Sequence, residues 1–193
     1  MALVESYMLP LNTPAPPFSL PNVVNGEMQT LEQLKGKKGT LVIFMCNHCP
    51  YVIHLLEGII HTAKHFLDKE IATLAISSNN VVSHPQDHPE KMKVLALEKT
   101  FLFPYLYDAS QEVAHNYQAA CTPDFYLFDE DLLLVYRGRY DDSRPGNETP
   151  VSGINLHEAA DLMLQKKPQK ELQYPSMGCS IKWLPGNSPE KLN

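Results

Sequence analysis

Cys46 and Cys49 are separated by Asn47 and His48 and followed by Pro50 in the stretch FMCNHCPYVIHLL. Residues of these types at this spacing suit four readings. They can form half of a zinc site, a redox dithiol, the reactive thiol of a peroxidase with its neighbour, or two buried sulfurs with no chemistry. For zinc, His61 and His65 would have to supply the other ligands. If Pro50 opens an unbroken helix, His61 lies about 18 Å along its axis from Cys49, at roughly 1.5 Å per residue, and no metal site results. No metal is expected here. His54, His61 and His65 then read as surface histidines.

The elements around the pair decide among the rest. Thr40–Met45, TLVIFM, is a short apolar run of branched and aromatic residues, the pattern of a strand buried on both faces. Pro50 suits the first position of a helix, where its missing N–H costs nothing. Beyond it Val52, Leu55, Leu56, Ile59, Ile60, Ala63, Phe66 and Leu67 recur at helical spacing. A Cys-x-x-Cys pair at such a strand-to-helix junction meets the positive helix end and its unpaired N–H groups, which stabilise a thiolate. That is a redox arrangement. Cys46, at the strand's end, is expected at the exposed lip as the nucleophile. Cys49, within the first turn, is expected to be shielded and to resolve the mixed disulfide. A cationic His48 would favour the thiolate, and its alternative role is a polar cap.

The rest of the chain reads as a frame for this unit. Residues 1–17 are proline-rich and extended. Two short strands meet at a turn near Asn25-Gly26, and Leu31–Leu34 makes a helical turn. IATLAISS is a second buried strand, HPQDHPE a turn, EKMKVLALEKT a helix and FPYLYD a short strand. Ser110 caps a helix over Gln111–Ala119, two strands pair about Asp129–Asp131, and Asn155 with Glu158 suggests a capping box for a helix over Leu156–Lys166. Residues 1–167 are expected to form one domain. Residues 168–193 are expected to be an irregular tail packed on it, with Cys179 in the island SMGCSIKW. Alternating helices and strands give an α/β fold with a mixed central sheet flanked by helices.

Composition bounds the partners. The chain has 193 residues, enough for a sizeable core, and a net charge of −6. Neither nucleic acid nor an anionic membrane surface is an expected partner, because both call for clustered Lys and Arg. No stretch has the length or apolarity of a membrane span, and none near the start has the pattern of a secretory signal, so the expected location is cytoplasmic. Four cysteines in a reducing compartment do not suggest a structural disulfide framework.

The order of strand, CNHCP, long helix, strand, helix, then CTPDFYLF and a tight strand pair resembles the thioredoxin fold. The stretch APPFSLPNVVNGEMQTLEQLKGKKGTLVIFM, with its added N-terminal β-hairpin, resembles the redoxin branch, the AhpC/TSA and TlpA-type proteins. The likeness runs from about Pro14 to Lys166. It implies a cis Thr122–Pro123 step beside the dithiol, with Thr122 and Pro123 binding an extended substrate. It also implies a protein disulfide or hydroperoxide as substrate and a reductase or small thiol as electron donor, with no cofactor. The departures are specific. Met45 replaces the usual Trp, Asn47-His48 replaces Gly-Pro, and Thr40 stands where thioredoxins keep a buried acid. The His beside the second cysteine resembles DsbA-type oxidants and implies a more oxidising couple than thioredoxin's. The peroxiredoxin Thr and Pro positions hold Ile43 and Gly39 when counted from Cys46, and Cys46 and Val42 when counted from Cys49. The expected activity is therefore thiol–disulfide exchange, with an antioxidant thiol peroxidase using Cys46 as the alternative and a non-catalytic partner-binding module as a third reading. Cys121 is expected near the dithiol at the surface, and Cys121 and Cys179 are candidate auxiliary redox thiols. Arg137, Arg139 and Arg144 either steady the thiolate, dock a partner or form surface ion pairs.

Overall fold

The computed structural model describes residues 3–189; the ends of the expected segments, residues 1–2 and 190–193, lie outside the described residues. Strand β1 (Leu3–Glu5) is followed by an antiparallel hairpin of β2 (Ser19–Pro21) and β3 (Met28–Thr30). Its connection runs through Gly26 at φ 77°, backbone that glycine adopts without penalty. Thr30 and Gln33 close a capping box on the single turn α1 (Leu31–Leu34), satisfying its leading N–H groups.

Strand β4 (Gly39–Phe44) is buried along its whole length. Leu41 and Ile43 join the core on one face and Val42 and Phe44 the core on the other, as side-chain alternation in a central strand requires. Helix α2 (Pro50–Asp68) has Cys49 as its N-cap residue and Pro50 in its first turn, and runs unbroken. His61 and His65 are thus exposed on its distal turns, away from the cysteines. Its buried stripe departs from expectation at its distal end. Leu67 is 58% exposed, while Thr62 is buried and hydrogen-bonds Tyr140 and His157.

Strand β5 (Ile71–Ser77), a 3₁₀ turn at Pro85–Asp87, α3 (Pro89–Glu98) and β6 (Tyr105–Tyr107) follow. Then come α4 (Glu112–Asn116), β7 (Cys121–Thr122), β8 (Asp124–Asp129), β9 (Leu134–Gly138), α5 (Ile154–Leu164) and β10 (Met177–Ser180). Helix α4 is shorter than its sequence suggests because Gln111 and Gln118, at φ 66° and 50°, leave helical backbone. Ser110 does accept from Glu112 N–H, at 3.2 Å. The box expected from Asn155 and Glu158 is not formed. Gly153 is the N-cap of α5, and Asn155 Oδ1 accepts from Arg139 Nε instead.

The main sheet has the order β6-β5-β4-β8-β9, with β4, β5 and β6 parallel and β8 and β9 antiparallel to their neighbours. This is the thioredoxin fold, a mixed sheet between helices. The C-terminal tail is irregular, as its prolines suggested, except for one short strand. Met177–Ser180 forms the middle strand of a second sheet, β1-β10-β7, whose backbone hydrogen bonds the sequence pattern gave no reason to expect.

Candidate active site

The turn from β4 into α2 carries Met45 to Cys49. Met45 N–H still donates to Ile76 O, holding the chain to the sheet up to the first cysteine. Cys46 and Cys49 are both free and both fully buried, at 1% and 0% exposure. The lip position expected of Cys46 is therefore corrected. The half-buried Asn47 and His48 form the surface over it, and His48 stacks on His84 with ring centroids 5.0 Å apart.

The loop is clamped by a residue that sequence reasoning passed over. Asp87, wholly buried in the turn after β5, accepts from Asn47 N–H at 2.9 Å and His48 N–H at 3.3 Å through one oxygen. Its other oxygen meets His48 Nδ1 at 2.7 Å and Asn79 Nδ2 at 2.8 Å. His48 is thus a partner of Asp87 rather than a helix cap, and its Nδ1 also lies 3.8 Å from Cys46 Sγ. A signal was available. Asp87 follows the C-terminal end of a parallel strand, the end of such sheets where sites gather. Asn79 passes the linkage on by accepting from Lys182 N–H at 2.8 Å, so the C-terminal segment is tied to the same network.

The opposite wall is the Thr122–Pro123 step, whose peptide bond is cis. Thr122 Oγ1 is 3.6 Å from Cys46 Sγ, and Cys49 Sγ donates to Thr122 O at 3.1 Å. A groove beside Pro123 is lined by Tyr51, Asp142, Arg144 and Met177 among others. The largest cavity, lined by Lys38, Asp129 and Met163, opens at the other end of β4 and β8, away from the sulfurs.

Electrostatically the two cysteines act as one group. A hydrogen bond from Cys46 lowers Cys49 to about 4 against its burial, helped by Cys179, Thr122 and the Val52 N–H. The same sulfur–sulfur bond, then burial and Asp87, push Cys46 well above the ordinary thiol range. Across neutral pH the pair therefore holds one proton and one negative charge. Asp87 favours the proton on Cys46, and the Thr122 carbonyl, which can only accept, favours it on Cys49. Cys46, His48 and Asp87 also have donor atoms within 4.8 Å of one another, so these are the residues a cation would use, although His48 Nδ1 is engaged by Asp87.

The remaining expected residues sort differently. Cys121 is buried, not at the surface, with its thiol directed to Pro123 O at 3.7 Å. Cys179 is buried in the same core cluster as Cys46 and Cys49, and it helps to lower Cys49. Arg137 is no surface charge and does not reach Cys46. It is wholly buried and pairs with Asp124 at 3.1 Å while lying over the Tyr126 ring. Arg139 pairs with Asp142 at the surface, and Arg144 reaches Met177 Sδ.

No curated protein matches the chain. Among solved structures, an uncharacterized conserved protein from Geobacillus kaustophilus is 49% identical with a TM-score of 0.94, the match covering 96% of this chain and 98% of that one. A hypothetical protein from Sinorhizobium meliloti 1021 is 40% identical with a TM-score of 0.91, covering 94% and 99%. The thioredoxin domain of a thiol-disulfide oxidoreductase from Bacteroides vulgatus shares the fold at 20% identity and a TM-score of 0.57, covering 71% and 91%. A model of the AhpC/TSA family matches residues 11–137, a span that takes in the dithiol, Asp87 and the Thr122–Pro123 step, and the chain belongs to the AhpC/TSA family.

Proposed function

We propose that the protein is a thiol–disulfide oxidoreductase in which Cys46 attacks and Cys49 resolves. The observation that carries this reading is the buried Cys46–Cys49 pair at the start of α2, with Cys49 Sγ donating to the Thr122 carbonyl and Cys46 Sγ 3.6 Å from the Thr122 hydroxyl. When the proton sits on Cys49, donated to Thr122 O, Cys46 is the thiolate. It attacks one sulfur of a substrate disulfide, forms a mixed disulfide and releases the other substrate sulfur as thiolate. Cys49 then loses its proton, attacks Cys46 Sγ, closes the Cys46–Cys49 bond and expels the second substrate thiol. The substrate gains two electrons and the dithiol loses two. A reductase or small thiol restores it, a donor that the expected cytoplasmic location would supply. Because Cys46 lies beneath Asn47 and His48, a substrate lying along Thr122 and Pro123 must part that cover.

Family membership supports a second reading, a thiol peroxidase in which a hydroperoxide oxidises Cys46 to a sulfenic acid that condenses with Cys49. Against it, Ile43 and Gly39 sit inside β4 and offer a peroxide no side-chain donor, leaving Thr122 Oγ1 and His48 near Cys46.

The test is a pulse of either a protein disulfide or a hydroperoxide on fully reduced protein, followed by acid quench, alkylation and peptide mapping. Fast Cys46–Cys49 closure with the disulfide and slow closure with peroxide supports exchange. The reverse order supports the peroxidase. A Cys46 that stays alkylatable under both pulses overturns catalysis and leaves a binding module.

A further inference from the structure

The second sheet brings a third thiol to the pair. Cys179 is directly opposite Thr122 in the β10–β7 ladder, and residues opposite one another in an antiparallel pair share a face. Thr122 turns its hydroxyl to Cys46, so Cys179 faces the dithiol and lies in the same buried cluster as Cys46 and Cys49. Cys121, one residue before Thr122, points to the opposite face, with its thiol directed to Pro123 O. The approach depends on Gly178. A Cβ there would lie 2.1 Å from Thr122 O, so no other residue lets β10 come this close. Cys46, Cys49 and Cys179 thus share one buried cluster, and both of the other thiols lower Cys49.

We propose that Cys179 is a third redox thiol, exchanging with Cys49 to convert a Cys46–Cys49 disulfide into a Cys49–Cys179 disulfide. The proposal rests on the exchange reading above. Deprotonated Cys179 attacks Cys49 Sγ. The Cys49–Cys179 bond forms, the Cys46–Cys49 bond breaks, and Cys46 leaves as a thiolate that takes up the proton Cys179 gave up. No electron enters or leaves in this step, since the oxidant is the substrate disulfide already consumed. In the reduced protein, burial and the hydrogen bond to Cys49 push the Cys179 thiol up to about 12, which keeps it protonated. Once Cys49 is tied in a disulfide its charge is gone, while Lys182 nearby still favours the Cys179 thiolate. The exchange leaves the oxidising equivalents under β10 and returns Cys46 as a free thiol beneath Asn47 and His48.

The experiment oxidises reduced full-length protein, as wild type, Cys46→Ser and Cys179→Ser, with glutathione disulfide. Samples are quenched in acid from seconds to hours, alkylated and mapped. Cys46→Ser is expected to lose alkylation at both Cys49 and Cys179 and to give the Cys49–Cys179 cross-linked peptide. Wild type should give that peptide after the Cys46–Cys49 peptide appears, and Cys179→Ser should give Cys46–Cys49 alone. The proposal is overturned if wild type closes Cys46–Cys49 but shows no Cys49–Cys179 peptide at any time. It is also overturned if Cys46→Ser, folded by circular dichroism, holds only a glutathione adduct on Cys49 with Cys179 free. Failure of the exchange reading looks different: wild type then never closes Cys46–Cys49, whatever Cys179 does.

Discussion

Replacing Asp87 with Asn changes one atom pair and should unsettle the whole loop over the cysteines. The carboxylate accepts four hydrogen bonds, two per oxygen. An amide keeps its oxygen toward the Asn47 and His48 N–H groups but turns an NH₂ toward His48 Nδ1 and Asn79 Nδ2. Asn79 cannot answer by flipping, because its oxygen holds the Lys182 N–H. His48 can, by presenting Nδ1 as an acceptor. One charge-assisted bond is then lost outright and three become neutral. At about 1.5–3 kcal/mol for a bond to a charged group and about 1 for a neutral one, the cost is about 3–9 kcal/mol. For a chain of this size even the lower end is a fall of roughly 6–12 °C in melting temperature. The same change removes one of the influences that push Cys46 up, so its ionisation should move down in pH. Urea unfolding under reductant measures the first effect, and thiolate absorbance at 240 nm the second. A variant within about 0.5 kcal/mol of wild type, with the upper thiolate step unmoved, would refute the role given to Asp87.

Other expectations follow from the same geometry. In reduced wild type, thiolate absorbance should rise once near pH 4, with the second cysteine ionising far above neutrality. Cys49, depressed in the fold, contributes stability that is fully present above its unfolded value. That contribution is lost at up to about 1.4 kcal/mol per pH unit as pH falls toward 4, so unfolding midpoints that stay flat between pH 8 and 5 in Cys46→Ala relative to wild type, but not in wild type itself, are expected. Arg137→Met leaves Asp124 buried without its cation and should cost about 3–5 kcal/mol by denaturant unfolding, and a near-neutral result would mean the pair is dispensable. Gly178→Ala should drive β10 from Thr122 and speed alkylation of Cys49, whereas an unchanged alkylation rate would show that β10 does not cover it.

Sequence carried the local parts of this molecule well. The buried run of β4, Pro50 opening α2 and the Leu31–Leu34 turn are set by neighbouring residues, and each formed where its pattern indicated. The dithiol and the Thr122–Pro123 step came together as the resemblance implied. What escaped notice depends on contacts between distant segments. Beyond its place after a parallel strand, nothing in HPQDHPE marks Asp87 as buried, because its partners Asn47 and His48 arrive from another loop. Arg137 and Cys121 looked superficial because charge and position near a loop suggest exposure, whereas Asp124 and strand β10 bury them. A strand of four residues such as β10 has too little pattern to stand out among prolines, and its place is fixed by a glycine whose partner lies far away in sequence.

The sheet formed by β1, β10 and β7 draws on the beginning, the end and the middle of the chain. Such contacts carry the largest loop-closure cost and form late. Strand β4 and helix α2, by contrast, bring Cys46 and Cys49 together from adjacent sequence. During folding the two cysteines therefore meet as a naked pair before their cover docks. Oxidants and stray thiols encounter them most readily in that interval, so the chain's exposure to wrong sulfur partners is set by how quickly its last strand arrives.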